Sequence, residues 1–403
     1  MITTERSVTE RSHLNPISDL EYPQAPAQSG RIPRWLMSLL IAGFISTQAM
    51  PAFASALGDL AAKMNPGQWA EFPTNGFNNG GILVTDDGDG FLQYTDEALW
   101  DPIKRQIYVI GTSRGNSAQY GMINQKWIAY SEGLNTWTVL PQLPFYIGFH
   151  SYDHAALDTR TGDYYVKIVG GDFATDREVH KFTASSQTWS KLPDMPVSGD
   201  APCCSALEYF PELGGIVYVN PRDNGGEFYL YNPSTNAWST IPGGFSGDYS
   251  QFSEYNRVHK FLYFGGGAGA ERNLYKLDAN KKVTRLADAP VTLGTASGCA
   301  GVQTLDPLTG KLIVFSCDQG RNSVNGTYEY NPVTNSWSKT GTHNLAYGDL
   351  EAVAVPLFDY GVIFVTVYTG NGAGKVYLYK HSTGSPAPVD TTPPAPPSNV
   401  KLK

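Results

Sequence analysis

A segment of eight residues that opens on an aromatic and closes on tryptophan recurs along the chain. It reads YSEGLNTW at 130–137, FTASSQTW at 182–189, YNPSTNAW at 231–238 and YNPVTNSW at 330–337. Turn formers, often Asn-Pro or Thr-Asn, fill the middle of each. A fifth copy, LDANKKVT at 277–284, keeps the spacing and loses both aromatics. The closing positions lie 46 to 53 residues apart and average 50. A unit of that size cannot bury its own apolar face and must stack on like units, which confines the chain to an array, a solenoid or a closed ring.

Each unit divides into four strands. In the second, 154–157 is the inner strand, DTRTGD at 158–163 a turn, and 164–169 a second strand ending at Gly170-Gly171. Residues 179–183 and 188–192 supply the third and fourth. The fifth unit copies this plan, with its turn at 306–310 and second strand at 312–315. β-Branched and aromatic runs bounded by Gly, Pro and Asn carry these assignments. The tryptophans are expected to fill the space between neighbouring units, where a large flat side chain buries about 150–250 Å². The last unit has Tyr379 but no tryptophan seven residues later, whereas Trp69 has no strands before it. The sequence QWAEFP around Trp69 parallels TWSKLP around Trp189. The N-terminal strand is therefore expected to complete the last unit, and the span 69–382 then holds six.

These Tyr-x6-Trp halves resemble the kelch repeat, the propeller fold shared with galactose oxidase, over residues 69–382. The paired glycine of that family stands at Gly170-Gly171 and Gly265-Gly266-Gly267, while Gly111, Asn220, Cys317 and Thr369 occupy the neighbourhood elsewhere. The resemblance implies an all-β, six-bladed kelch-type β-propeller. It implies little about function, because such folds host many activities. The radical-copper site of galactose oxidase needs two tyrosines, two histidines and a cysteine cross-linked to one tyrosine, with one histidine directly after a tyrosine. No Tyr-His dipeptide exists here, so copper oxidase chemistry is not expected.

The two ends read differently from the repeats. Arg31 and Arg34 precede an apolar run at 35–45, and small residues follow in MPAFASA at 50–56. Both Ala52-Phe53-Ala54 and Ala54-Ser55-Ala56 fit the cleavage pattern of an export signal. Residues 1–56 are expected to be a signal peptide with a long N-terminal extension, 57–384 the propeller, and 385–403 a proline-rich linker. The segment 390–402 resembles the approach to a fibronectin type III domain. A secreted or periplasmic protein with no transmembrane span in the mature chain follows as the expectation. The net charge of −8 and the lack of any basic cluster argue against nucleic acid as a partner.

Four cysteines in an exported chain are expected to be oxidised. If Leu305 pairs with Lys311, Cys299 and Cys317 face each other across one hairpin, and a disulfide is expected there; two buried thiols are the alternative. Cys203-Cys204 form a vicinal bridge, pair with another chain or stay free. Chemistry is expected where loops enter the inner strands. The catalytic candidates there are His154, Glu97, Asp349 and Glu351, and the ligand-binding candidates are His150, Tyr152, Asp248, Tyr249 and Tyr347. Tyrosines stack on sugar faces while carboxylates hold hydroxyls; the alternative is that these groups satisfy one another. No metal site is expected. Asp86, Asp87 and Asp89 read as a solvated turn, with calcium the alternative. The expected function is binding of a carbohydrate or an extracellular protein at the channel mouth or outer loops. The alternative is a glycan-acting enzyme (lyase, hydrolase or epimerase) using the acids and histidines at that mouth.

Overall fold

The computed structural model describes residues 55–384 apart from 79, 86–89, 93, 94, 96, 113–124, 149–151, 170–176, 198–204, 222–224, 248–250, 268–270, 295–300, 317–324, 344, 346–350 and 371. Six antiparallel sheets of four strands account for the repeats. Blade 1 comprises Leu99–Asp101, Gln106–Thr112, Gln125–Ser131 and Thr136–Val139. Blade 2 comprises Ala155–Asp158, Asp163–Lys167, Val179–Thr183 and Thr188–Lys191. Blade 3 comprises Leu207–Phe210, Gly215–Asn220, Glu227–Asn232 and Ala237–Pro242, and blade 4 Phe252–Asn256, Phe261–Gly265, Leu274–Asp278 and Val283–Arg285. Blade 5 comprises Val302–Leu305, Leu312–Ser316, Gly326–Asn331 and Ser336–Thr342. Blade 6 comprises Ala352–Leu357, Val362–Gly370 and Ala373–Lys380, with Gln68–Glu71 as its outer strand. Each inner strand touches the inner strands of both neighbouring blades, and that of blade 6 meets that of blade 1. The fold is a six-bladed β-propeller.

The core is divided among the junctions. A separate apolar cluster lies between each pair of adjacent blades, for example Tyr108, Ile110, Ala155 and Tyr164 between blades 1 and 2. Strand alternation builds this arrangement, because successive side chains point to opposite faces. In the second strand of blade 5, Leu312 and Val314 face blade 4, while Ile313 and Phe315 face blade 6. Both faces are therefore apolar, and the strand reads as a continuous hydrophobic run.

The recurring octet is an outer hairpin. Tyr130, Phe182, Tyr231 and Tyr330 lie directly opposite Trp137, Trp189, Trp238 and Trp337. The residue two before each tryptophan, Asn135, Gln187, Asn236 or Asn335, takes a left-handed backbone, which asparagine tolerates well. In the three tyrosine blades the asparagine Oδ1 also accepts the tyrosine hydroxyl, at 2.9, 2.9 and 2.7 Å. Blade 2 replaces both partners together, with Phe182 and Gln187. The indole of Trp238 donates to the Pro193 carbonyl and that of Trp337 to Ala287, each just past the outer strand of the preceding blade. The tryptophans thus tie blade to blade.

Two registers differ from the sequence expectation. In blade 4 Leu277 pairs with Val283, not Thr284, because the loop is one residue shorter and Lys281 takes the left-handed position. Val283 therefore replaces the tryptophan. In blade 5 Leu305 pairs with Leu312, and the four-residue turn closes on the Asp306 amide donating to the Lys311 carbonyl. This differs by one residue from the Leu305–Lys311 pairing on which the Cys299–Cys317 expectation was built. All four cysteines lie outside the described residues.

The ring closes as expected from Trp69. Trp69 pairs with Tyr379, and their rings stack at 4.5 Å. Just before this strand, helix α1 (Ala56–Lys63) packs Leu57 and Ala61 into the junction between blades 6 and 1. Ser55 caps it by accepting the Gly58 amide, and Asp59 and Lys63 complement the helix dipole at its two ends. The described residues contain no helix long and apolar enough to cross a membrane.

His343 sits beside this closure and gives a pH test. Its Nε2 is 3.0 Å from the Ser316 carbonyl, and its Nδ1 accepts the Leu345 amide, so the ring is the neutral Nε2–H form. Burial lowers its pKa to about 4. The unfolded chain takes a proton near pH 6.5 and the folded chain only near 4, so this residue's stabilisation is complete above about pH 6.5 and is lost as the pH falls through that window. His343→Gln should remove a loss of roughly 3 kcal/mol between pH 7 and 4. Denaturant unfolding of both proteins across that range measures it; parallel profiles would refute it.

Candidate functional site

In an antiparallel blade the turns after the first and third strands share one end, and the other connections share the opposite end. The inner strands start at that second end. Among the described residues, four acids gather there and along the channel from four consecutive blades: Glu97 before Leu99–Asp101, Asp153 before Ala155–Asp158, Glu208 within Leu207–Phe210 and Glu254 within Phe252–Asn256. Glu97 is held in place by single parallel bridges, from its own backbone to Ala354 of blade 6 and from Thr95 to Tyr152 of blade 2.

Two of the four acids have structural work. An inner strand offers one edge of unpaired amides to the channel, and buried amides need acceptors. Asp153 accepts the Ser253 amide and Glu208 the Tyr255 amide, alternate donors on the inner strand of blade 4. Glu208 also accepts the Tyr209 amide at 2.7 Å. Asp153 additionally accepts Leu207 N through its own carbonyl, linking blades 2 and 3. Glu97 is placed otherwise. Its carboxyl is buried and hydrogen-bonds to that of Asp153.

Crowding and burial set the protonation of the group. Burial pushes Glu97 well above the usual carboxylate range, and the charges of Asp153 and Glu208 add to this. Burial also raises Glu254, reinforced by Glu208 and Asp153. Glu208 is pushed up to about 7 by burial, against the pull of its two backbone donors. Two carboxyls in hydrogen-bond contact, as in Glu97 and Asp153, require a proton between them. At neutral pH the channel therefore holds carboxylic acids, which both donate and accept hydrogen bonds.

The sequence candidates are only partly united. Glu97 belongs to the cluster. Tyr152 is buried against it through the Thr95 bridge, and His154 is 1% exposed, enclosed in the wall with its carbonyl accepting the Lys167 amide. Glu351 directly precedes the inner strand of blade 6, and its carbonyl accepts Tyr368 N. His150, Asp248, Tyr249, Tyr347, Asp349 and the acidic turn Asp86, Asp87 and Asp89 lie outside the described residues. Among the described residues, no three His, Cys, Asp or Glu side chains are placed to hold a metal ion. Sequence reasoning missed Glu208 and Glu254. Both occur in a Glu-Tyr dipeptide at the same place in successive inner strands, a signal that reading for inner-strand position would have found.

No family model and no curated protein matches the chain. Solved structures do resemble it. One is a fungal alcohol oxidase of the AA5 family in complex with copper, at 13% identity and TM-score 0.47, covering 78% of this chain and 76% of that one. Another is a structural-genomics protein of unknown function from Bacteroides thetaiotaomicron, at 11% identity and TM-score 0.49, covering 77% and 75%.

Proposed function

We propose that this is an exported propeller of the kelch type that binds a neutral carbohydrate at the mouth of its channel. The observation that carries the reading is Glu97, a buried carboxyl hydrogen-bonded to Asp153 beside Glu208 and Glu254 at the channel. Protonated acids suit sugar hydroxyls because each supplies a donor and an acceptor. An anionic ligand would meet residual negative charge and is disfavoured. The linker at 385–403 fits a modular extracellular protein.

The Glu97–Asp153 contact also favours a second reading, a glycan-acting enzyme. A carboxylic acid kept protonated by burial beside a second carboxyl is the arrangement a general acid needs. Calorimetric titration with a panel of neutral oligosaccharides, paired with chromatography of the mixtures, separates the two. Saturable binding without new products, weakened about tenfold by Glu97→Gln, is expected. Turnover abolished by Glu97→Gln would move the assignment to an enzyme. No interaction across the panel, with capture of an extracellular protein instead, would sink the carbohydrate reading.

A further inference from the structure

The geometry points to Ser55 as the first residue of the mature protein, released by hydrolysis of the Ala54–Ser55 peptide bond. This rests on the export reading above. The sequence alone offers two overlapping cleavage patterns, one cutting after Ala54 and one after Ala56. The folded chain distinguishes their products.

Ser55 is 8% exposed and has two roles. Its Oγ accepts the Gly58 amide and caps helix α1. The same hydroxyl donates to Glu132 Oε1 at 2.5 Å. Glu132 lies in the outer turn of blade 1, with its side chain 2% exposed, and also takes Arg105 Nε at 2.6 Å and the Tyr360 hydroxyl. Arg105 reaches Asp359 and Tyr360 of blade 6. Ser55 therefore completes a polar bridge between the first and last blades, at the end of the propeller away from the acid-lined mouth.

Cutting after Ala54 preserves every one of these contacts. Water adds across the bond, leaving a carboxylate on Ala54 and an ammonium on Ser55. Covalent geometry fixes that ammonium close to the serine's own Oγ, and so close to the Glu132 carboxylate. Cutting after Ala56 instead removes the cap and the hydroxyl that Glu132 accepts. It also puts the new ammonium on Leu57, which is 0% exposed, and burying a charge there is unfavourable. A leader peptidase that reads small residues two apart accepts both sites, but only the first product keeps the closure whole.

The test is to express the full chain in a bacterial host that exports it and to sequence the N-terminal peptide of the exported protein by mass spectrometry. Ser55 is the expected first residue. A start at Leu57 overturns this inference and leaves export standing; an uncut chain confined to the cytoplasm overturns both. Two full-length variants sharpen the result. Ala56→Leu spoils only the second pattern and should leave Ser55 first, whereas any other start residue counts against the proposal. Ala52→Leu spoils only the first pattern, so the cut should move to follow Ala56 and the product should melt at least about 2 °C lower. An unchanged melting temperature for that product would show that Ser55 contributes nothing to closure.

Discussion

Replacing Trp69 with alanine lowers the stability of the propeller by about 3 kcal/mol, near the low end for a large aromatic because its ring is partly exposed. The ring is placed against four others. It stacks on Tyr379 at 4.5 Å, meets Phe315 edge-on at 4.9 Å, and lies within 6.4 Å of Tyr377 and His343. Phe315 belongs to blade 5, so one side chain joins the last blade to its predecessor while its backbone supplies the last blade's outer strand. The flanking pairs Gln68–Lys380, Ala70–Leu378 and Glu71–Tyr377 depend on the same short strand. Its loss also uncovers an edge of blade 6, and an open edge invites pairing with another chain. The comparison variant is Trp238→Ala, which removes an equivalent indole from a blade whose four strands are contiguous in sequence. Denaturant unfolding should show losses at both sites, but only Trp69→Ala should increase hydrogen exchange at residues 377–379 and promote association at high concentration. Equal exchange and no association would mean that the closure strand is held by its backbone alone.

What the sequence disclosed follows from how far apart the interacting residues are. Tyr130 and Trp137 face each other across a tight hairpin, so their relation appears as a fixed spacing of seven. The same local logic exposes Trp69 as the partner missing after Tyr379, though 310 residues separate them. Registers were less legible. One residue fewer in the loop before Val283, or a turn closed by Asp306 and Lys311 rather than by Leu305, leaves the composition of a hairpin nearly unchanged and reverses which face each side chain takes. The channel acids were least legible. Glu97, Asp153, Glu208 and Glu254 come from separate blades, and only closure of the ring together with strand phase brings them together. Glu208 has a further role that no spacing announces, acceptance of an amide from the open edge of the next blade.

Between pH 4 and pH 8, Glu208→Gln should gain roughly 3 kcal/mol of stability relative to the native protein. The sign follows from where protons bind. Burial holds Glu208 at about 7 in the folded chain, while an unfolded glutamate titrates near 4.3. Between those values the folded chain holds the proton and the unfolded chain does not, so stability declines as the pH rises through the window. Above it the folded channel carries a buried charge beside Glu97, Asp153 and Glu254. Glutamine is nearly isosteric and stays neutral, but it replaces only one of the two oxygens that accept separately, Oε1 from the Tyr209 amide and Oε2 from the Tyr255 amide, so one amide loses its acceptor at every pH. His343 titrates over almost the same range with the opposite sign, since its folded pKa is depressed to about 4. The two dependences oppose each other in the native protein. Relative to the native profile, to which the raised Glu97 and Glu254 add in the same sense as Glu208, His343→Gln should tilt stability down toward neutral pH and Glu208→Gln should tilt it up. Guanidinium unfolding of the three proteins at half-unit pH steps decides the matter. If the Glu208→Gln profile ran parallel to that of the native protein, Glu208 would not hold a proton in the folded chain through this range, and the picture of a protonated channel would have to be abandoned.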